Sequence, residues 1–396
     1  MKNCWAKYSF SSLIIYATFQ CGNSASVEVY PLTNSWEKAI PYQEIPDGLS
    51  SLNSDQCGTC HQNHYEEWKQ STHAYAWTDP QFQAELQKET SPYFCINCHT
   101  PLENQQEYIV TGLSNGNIYN PVKNKNRDFN QTLQLEGVNC ASCHVRNNAI
   151  ISSSASNSAP HMTISDPEFL SENLCVSCHN ASTQVTPVLV CSFETGDEWK
   201  KGPLYGIKSC VDCHMDTVTR SVVSGYGRKL NHRHYFAGSG IPKFDSAKTK
   251  MLNGLSFTTN LVGEQYLIAD TIYFSVTVKN EFAGHNVPTG DPERFFLVRF
   301  QLRMEDSLIE AQSHRIGEEW EWYPEAKKLA DNNLKPGEER VFKYRHLASK
   351  EGKYRLDIVV EKHRLDCESA KFNGLHEEYP LYITIYNKGF VFVVIK

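Results

Sequence analysis

Residues 57–77 read CGTCHQNHYEEWKQSTHAYAW, which places two cysteines, three histidines and two tryptophans within 21 positions. The first five letters recur four more times in the same form, C-x-x-C-H: CINCH at 95–99, CASCH at 140–144, CVSCH at 175–179 and CVDCH at 210–214. The repeats use ten of the 14 cysteines, at separations of 38, 45, 35 and 35 residues. This near-regular repeat dominates the organisation of the chain.

Four kinds of site use cysteine pairs of this spacing, and only one of them explains the histidine. Zinc sites need four ligands, so five units would leave one over. Disulfide frameworks have no use for the histidine, and a redox dithiol would occur once. Attachment of haem c uses both thiols as thioethers and the following imidazole as an iron ligand. The sequence therefore predicts five covalently bound haem c groups, on Cys57, Cys60, Cys95, Cys98, Cys140, Cys143, Cys175, Cys178, Cys210 and Cys213, with proximal ligands His61, His99, His144, His179 and His214.

The haems must lie close together. The stretch from Cys57 to His234 contains only 178 residues, about 36 for each haem. That is too little chain to build an ordinary apolar core around each haem. Gly, Asn, Ser and Pro punctuate the stretches between motifs, so we expect short helices joined by loops. Close spacing of haems is what electron transfer along a chain requires.

Histidine is the expected sixth ligand, because methionine is scarce in this region. His73 ends a helical-looking run, HYEEWKQSTH, that can carry it to a neighbouring haem. His161 stands in a loop that offers little other reason for a histidine, and we expect both residues to be iron ligands. Of His232 and His234 we expect one ligand at most, and we favour His234. His64 lies on the same expected helix as His73, and we expect it at a surface or haem edge.

After about residue 250 the motif stops and strands of period two begin. The stretches TIYFSVTVK, FFLVRFQLRM, KYRLDIVVEK and LYITIY alternate apolar and polar residues, and LKPGEE and NKG supply turns. They predict a C-terminal antiparallel β-sandwich. The fold class is α+β, with a mostly helical and loop haem domain at 55–248 followed by the sandwich at 249–396.

The first 26 residues are typical of an export signal, with Lys2 and Lys7 ahead of a short apolar core. Two processing routes stay open, ordinary cleavage after Ser26 and lipidation at Cys21. Residues 27–54 are then a linker. We expect an exported protein, periplasmic or lipid-anchored, that contacts a membrane only through Cys21. The net charge of −7 argues against nucleic acid as a partner and leaves redox proteins as the expected partners.

Over about residues 55–300 the chain resembles multihaem cytochromes c with the cytochrome c-552/4 domain, which include the tetrahaem cytochrome of ammonia oxidisers. The resemblance rests on CGTCHQNHYEEWKQSTHAYAW, CINCHTPL, EGVNCASCH, ENLCVSCHN, the EW of GDEWKKGPLYGIKSCVDCHM, HYFAG and AGHNVPTGDPERFF. It implies that His73, in W-x-x-S-x-H-A, is a distal ligand. It likewise implies that the family's H-x-F-x-G histidine is His234 and its G-H-x-x-P-T-G histidine is His285.

Two departures limit what the resemblance transfers. Five motifs in place of four mean that the pairing of ligands cannot be copied, and Cys191 is a cysteine that the family does not lead one to expect, so that a Cys191–Cys367 disulfide stays open. We expect an electron carrier rather than a catalyst. The alternative is an oxidoreductase that acts on a small nitrogen or sulfur compound at one five-coordinate haem, since the family includes such haems.

Overall fold

The chain divides into a cysteine-rich part of short helices and hairpins and a later part made almost entirely of strands. The structure is a computed structural model that describes residues 28–396 apart from 34, 89–90, 187–188, 245–248 and 261. We call residues 28–244 the cysteine-rich region and residues 249–396 the β-rich region. The two together make an α+β fold, as the sequence predicted. The export signal expected at 1–26, with Cys21 and Ser26, lies outside the described residues.

Short helices carry the C-x-x-C-H motifs. In four of the five motifs the histidine is the last residue of its helix, and His61 instead precedes α2. The helices of the region are α1 (Ser54–Gly58), α2 (Gln62–Trp68), α3 (Pro80–Leu86), α4 (Tyr93–His99), α5 (Gln131–Gln134), α6 (Cys140–His144), α7 (Glu172–His179), α8 (Thr195–Lys201) and α9 (Cys210–His214). The side chains of Asn139, Ser171 and Ser209 accept hydrogen bonds from backbone amides of the first turn, so the residue just outside the helix starts it.

The sequence did not anticipate the hairpins between these helices. The strands are β1 (Val29–Tyr30), β2 (Tyr108–Ser114), β3 (Pro121–Lys125), β4 (Val145–Arg146), β5 (Ala149–Ser152), β6 (Thr163–Ser165), β7 (Ala181–Thr186), β8 (Leu189–Phe193), β9 (Thr217–Ser221) and β10 (Arg228–His232). They form small sheets β1–β2–β3, β4–β5–β6, β7–β8 and β9–β10. Most are short and polar, so they show little of the alternation that marks a strand in sequence.

The segment expected as a linker packs on the cysteine-rich region from residue 28 onward. Strand β1 pairs with β2, Ile40 forms a bridge with Leu102, and Leu52 is buried beside Leu102 and Leu133. These contacts make the segment before the first motif part of the folded cysteine-rich region.

The β-rich region is a two-sheet sandwich. Its strands are β11 (Leu255–Thr259), β12 (Gln265–Leu267), β13 (Thr271–Asn280), β14 (Phe295–Met304), β15 (Ser307–Gly317), β16 (Glu319–Glu321), β17 (Lys327–Ala330), β18 (Glu339–Leu347), β19 (Gly352–His363) and β20 (Tyr382–Ile395). One sheet has the order β11–β13–β18 and the other β12–β20–β19–β14–β15. The β12–β20 pair is parallel and the other pairs of these two sheets are antiparallel.

The alternation in the sequence decides which face of each strand is buried. Phe274 and Val276 of β13 lie in one core with Val298 and Phe300 of β14, and each is at most 1 % exposed. Tyr273, which alternates with them, points outward and is 64 % exposed. The predicted sandwich is therefore present, and its hydrophobic core is the largest of the described residues.

An insertion between β19 and β20 joins the two regions. It contains α10 (Cys367–Phe372), capped by the Asp366 side chain, and its own small apolar cluster of Leu365, Ala370 and Tyr379. The Tyr379 hydroxyl donates a 2.7 Å hydrogen bond to Asp79, just before α3. The β-rich region is thus held against the cysteine-rich region at the start of α3.

Candidate haem-binding sites

Three of the five motif histidines are anchored through one ring nitrogen. The Nδ1 atoms of His99 and His214 lie 2.6 Å from the carbonyl oxygens of Ala76 and Ala237, and His144 Nδ1 lies 2.8 Å from that of Ile151. A carbonyl can only accept, so each Nδ1 carries the proton and Nε2 keeps a free lone pair. Metal-binding histidines are typically held in this way, and the rings therefore suit an iron ligand.

The motif thiols suit covalent attachment. Each of the ten motif cysteines keeps some exposed surface, and none of them forms a disulfide in the structure as described. Sulfurs of different motifs approach each other, Cys57 with Cys140 and Cys175 with Cys210, close enough to hydrogen-bond. Cys98 approaches Cys178 in the same way. The motifs are therefore neighbours in space, as close haem packing requires.

Three motif histidines each face a histidine from elsewhere in the chain. The ring centres of His73 and His179 are 6.1 Å apart, those of His144 and His234 are 6.1 Å apart, and those of His214 and His285 are 6.3 Å apart. Two imidazoles bound to one metal at about 2.0 Å per bond would have ring centres roughly 6.3 Å apart. The spacing in all three pairs therefore fits an iron atom between the rings.

Burial lowers the pKa of several of these rings. Burial and, to a smaller extent, the nearby His179 lower the pKa of His73 to about 3. Burial also lowers the pKa values of His179 and His285 to about 4. At neutral pH the rings of His73, His179 and His285 are therefore uncharged and can donate a lone pair to a metal.

The first motif has a less regular neighbourhood. The ring centres of His61 and His64 are also 6.1 Å apart, but their planes cross at 75°. Residues three apart at one helical turn project to the same side, so these two rings cannot stand on opposite faces of a flat group. Burial lowers the pKa of His61, and the charge of His161 lowers it further, which places His161 beside this motif. His161 Nδ1 lies 3.3 Å from Thr163 Oγ1.

The second motif has a different neighbour. The ring of Phe82, from α3, stacks on His99 with centres 3.7 Å apart and planes at 6°. Among the described residues, no histidine faces His99 at the spacing of the three pairs. Asp79 and Lys243 are the charged groups that act on its pKa, which burial lowers to about 4.

Two details differ from the sequence-based expectation. Helix α2 ends at Trp68, so His73 lies in the turns beyond it, where burial and not the helix places its ring. No disulfide joins Cys191 to Cys367 within the described residues, because Cys191 lies near Cys98 while Cys367 is exposed at the start of α10. His232 donates from Nδ1 to the carbonyl of Met215 and is not paired with a motif histidine in the described structure.

Sequence reasoning missed the side chains that the β-rich region places near these histidines. Lys362 lies near the end of β19 and Arg364 just beyond it, and both side chains contact the cysteine-rich region. Arg294 acts on the pKa of His179. No spacing or motif relates these cations to the cysteines, so only the folded chain could reveal them.

Residues 56–145 match the family model described as cytochrome c554 and c-prime. This segment is multihaem cytochrome c sequence. The resemblance recognised from the motifs is therefore confirmed over this segment, and the match supports covalently bound haem c and electron transfer for this part of the chain. Outside residues 56–145, the assignment of the other motifs rests on their own geometry.

A solved structure matches the chain over most of its length. It is a penta-heme cytochrome c552 from Thermochromatium tepidum, with 18% sequence identity and a TM-score of 0.61, and the match covers 86% of this chain and 98% of that one. At this identity the likeness shows a shared fold. A CARDB domain from Pyrococcus furiosus matches 35% of the chain at a TM-score of 0.20, which is too low to carry an argument. No curated protein matches the chain. Within the described residues, no helix is long and apolar enough to cross a membrane.

Proposed function

We propose that this chain is an exported pentahaem cytochrome c that transfers electrons along closely spaced haems, most of them bound by two histidines. The observation that carries the proposal is the set of three histidine pairs at 6.1–6.3 Å, each of which joins a motif histidine to one from a distant part of the chain. The fold shared with a penta-heme cytochrome supports a count of five.

In this proposal the ten motif cysteines attach the haems and the five motif histidines are proximal ligands. His73, His234 and His285 are distal ligands to the haems of His179, His144 and His214, and His161 is the distal candidate for His61. Haem iron exchanges single electrons without making or breaking bonds to substrate when both faces are ligated. The protein's part is to orient and enclose the rings, to which the carbonyl hydrogen bonds and the burial described above contribute.

The proposal divides the chain at about residue 249, with the haem domain at 55–248 and the β-sandwich after it. Multihaem c-type cytochromes work with soluble or membrane-bound redox proteins, and we propose such partners and a periplasmic or lipid-anchored location for this one. The route of processing, before Cys21 or after Ser26, is tested by the mass of the mature N-terminal peptide, because lipidation adds acyl chains that ordinary cleavage does not.

The experiment that tests the proposal counts haems and ligands together. Intact mass and the pyridine haemochrome spectrum should give five haems per chain. An electron paramagnetic resonance spectrum of the oxidised protein should show mainly low-spin iron. Three or fewer haems, or a spectrum dominated by high-spin iron, would contradict the proposal.

A second function is favoured by one observation, the absence of a facing histidine at His99 within the described residues. A five-coordinate haem there would leave one iron face for a small nitrogen or sulfur compound, and the protein would be an oxidoreductase. The test is the binding of nitrite or hydroxylamine to the oxidised and reduced protein. A new absorption band from one haem per chain would support this function, and unchanged spectra would leave electron transfer alone.

A further inference from the structure

Four cations lie between the β-rich region and the second, fourth and fifth motifs. We call this set the basic seam: Lys243, Arg294, Lys362 and Arg364. Besides the burial that lowers each histidine's pKa, Lys243 lowers the pKa of His99, Arg294 that of His179 and Lys362 that of His285. Each of these three cations is therefore near a residue that the proposed function makes an iron ligand.

Arg364 is the most enclosed member of the basic seam, and one of its donors is unused. Its side chain is 6 % exposed and stacks on the ring of Tyr379, with Cζ 4.6 Å from the ring centre. Nη2 donates to the carbonyls of Ile241 and Pro242 at 2.9 and 3.0 Å. Nη1 is buried and has no hydrogen-bond partner among the described residues. A buried guanidinium with an unused donor costs stability unless an acceptor reaches it.

Lys362 also has few hydrogen-bond partners, whereas Arg294 is exposed to solvent. Lys362 has a single long contact, 3.5 Å from Nζ to the carbonyl oxygen of Gly238. Burial and, to a smaller extent, the charge of Arg294 lower its pKa to about 8. Arg294 donates 3.1 Å to the carbonyl of Thr289 and lines a cavity of about 480 Å³.

The carboxylates near the basic seam do not neutralise its positive charge. Asp79 pairs with Lys243 and also accepts from Tyr379, and Asp291 acts on Arg294. Burial raises the pKa of Glu293 to about 8, which keeps that carboxyl mostly uncharged at neutral pH. Four cations therefore face two carboxylates among the described residues. Arg364 is buried, Lys243 and Lys362 are half-buried and Arg294 is exposed, so the positive charge that water reaches least is that of Arg364 and Lys362. A bound anion would stabilise it.

We propose that the basic seam binds haem propionates, with Arg364 and Lys362 as the side chains that contact the carboxylates. This inference rests on the proposed function, because it needs haems on the second, fourth and fifth motifs. Carboxylates satisfy the unused Nη1 of Arg364 and the long contact of Lys362, and guanidinium groups bind them with two parallel hydrogen bonds. The β-rich region is then a source of charge for the haems and of contact between the two parts of the chain.

The experiment measures the reduction potentials of the full-length holoprotein by spectroelectrochemistry. The variants are Lys362→Met and Arg364→Met, which keep most of the stem and remove the charge. Arg355→Met is the matched control, since Arg355 is an exposed cation of the same strand, β19. A positive charge beside a haem favours the ferrous form, so both seam variants should lower at least one potential, and the control should change none.

The outcomes separate this inference from the proposed function. Potentials that match those of the unaltered protein in both seam variants would overturn it. A second outcome would also overturn it. Added inorganic sulfate, at constant ionic strength, would shift a reduction potential of the unaltered protein but not of the variants. The seam would then bind an anion from solution and not a propionate. If Arg364→Met lowers the haem count, Arg364→Lys should restore both count and potential, and failure to do so would make Arg364 a packing residue on Tyr379. A count of fewer than five haems in the unaltered protein would contradict the proposed function but not this inference. The reduction potentials of the haems that are present would still test the basic seam.

Discussion

The rings of His214 and His285 lie 6.3 Å apart with their planes only 14° from parallel, although the two residues belong to different parts of the chain. His214 ends α9, and His285 stands in the loop between β13 and β14 of the sandwich. His285 Nδ1 is turned to the carbonyl of Asn286 at 2.8 Å, so its Nε2 is the nitrogen left for a metal. If the proposed pairing is correct, the sandwich supplies an iron ligand to the fifth motif.

Replacement of His285 tests this pairing. His285→Ala should leave five haems attached and convert one low-spin haem to high spin, because thioether attachment does not depend on the sixth ligand. Added imidazole should reverse the change. The control is His376→Ala, a histidine of the β-rich region whose side chain is 79% exposed. An electron paramagnetic resonance spectrum identical to that of the unaltered protein would show that the His285 loop only packs against the haem domain.

His73 should behave in the same way at the fourth motif. We expect His73→Ala to give one high-spin haem with the haem number unchanged, measured by the same spectra and by intact mass. The signal that disappears should differ from the one lost in His285→Ala, because the planes of His73 and His179 cross at 54° and those of His214 and His285 at 14°. The mutual angle of two imidazoles changes the splitting of the iron d orbitals. Loss of the same signal in both variants would contradict the separate pairings.

The neighbouring histidines 232 and 234 provide a matched pair of variants. The ring centres of His234 and His144 are 6.1 Å apart, whereas the His232 ring is hydrogen-bonded to the carbonyl of Met215. His234→Ala should therefore produce one high-spin haem, and His232→Ala should leave the spectrum low-spin. The reverse result would move the ligand by two residues and disprove the assignment.

A buried carboxyl in the β-rich region predicts a pH dependence of stability. Burial raises the pKa of Glu293 from an ordinary 4.5 to about 8 in the folded protein. The folded state therefore binds the extra proton, and its stability falls as the pH rises between about 4.5 and 8. Glu293→Gln should flatten this part of the profile and raise the free energy of unfolding at pH 8 by about 1–3 kcal/mol.

The measurement is chemical denaturation of the holoprotein at several pH values, followed in the far ultraviolet. Glu293 accepts a 3.3 Å hydrogen bond from Gln81, which glutamine can also accept, so the substitution keeps this contact. Glu325→Gln, on an exposed residue, serves as the control. Parallel pH profiles for the Glu293 variant and the unaltered protein would show that this carboxyl is ionised in the folded state.

The sequence by itself determined the chemistry of attachment and the face that each long strand buries. Covalent attachment of haem c needs a contiguous C-x-x-C-H motif, so the five motifs can be recognised in the sequence without knowledge of the fold. The sandwich was equally legible, because alternation in stretches such as residues 271–280 is read directly as a buried and an exposed face. Phe274 and Val276 are buried, and Tyr273 is exposed, as that pattern predicted.

Only the tertiary structure decided which histidine faces which motif and what surrounds each pair. His73 and His179 are more than a hundred residues apart, and no local pattern encodes a distance of 6.1 Å between their rings. Phe82 on His99 and the unused Nη1 of Arg364 are likewise products of packing between distant segments. Covalent bonds and strand periodicity depend on neighbours in the chain, whereas coordination and charge balance depend on neighbours in space, and the fold alone brings those together.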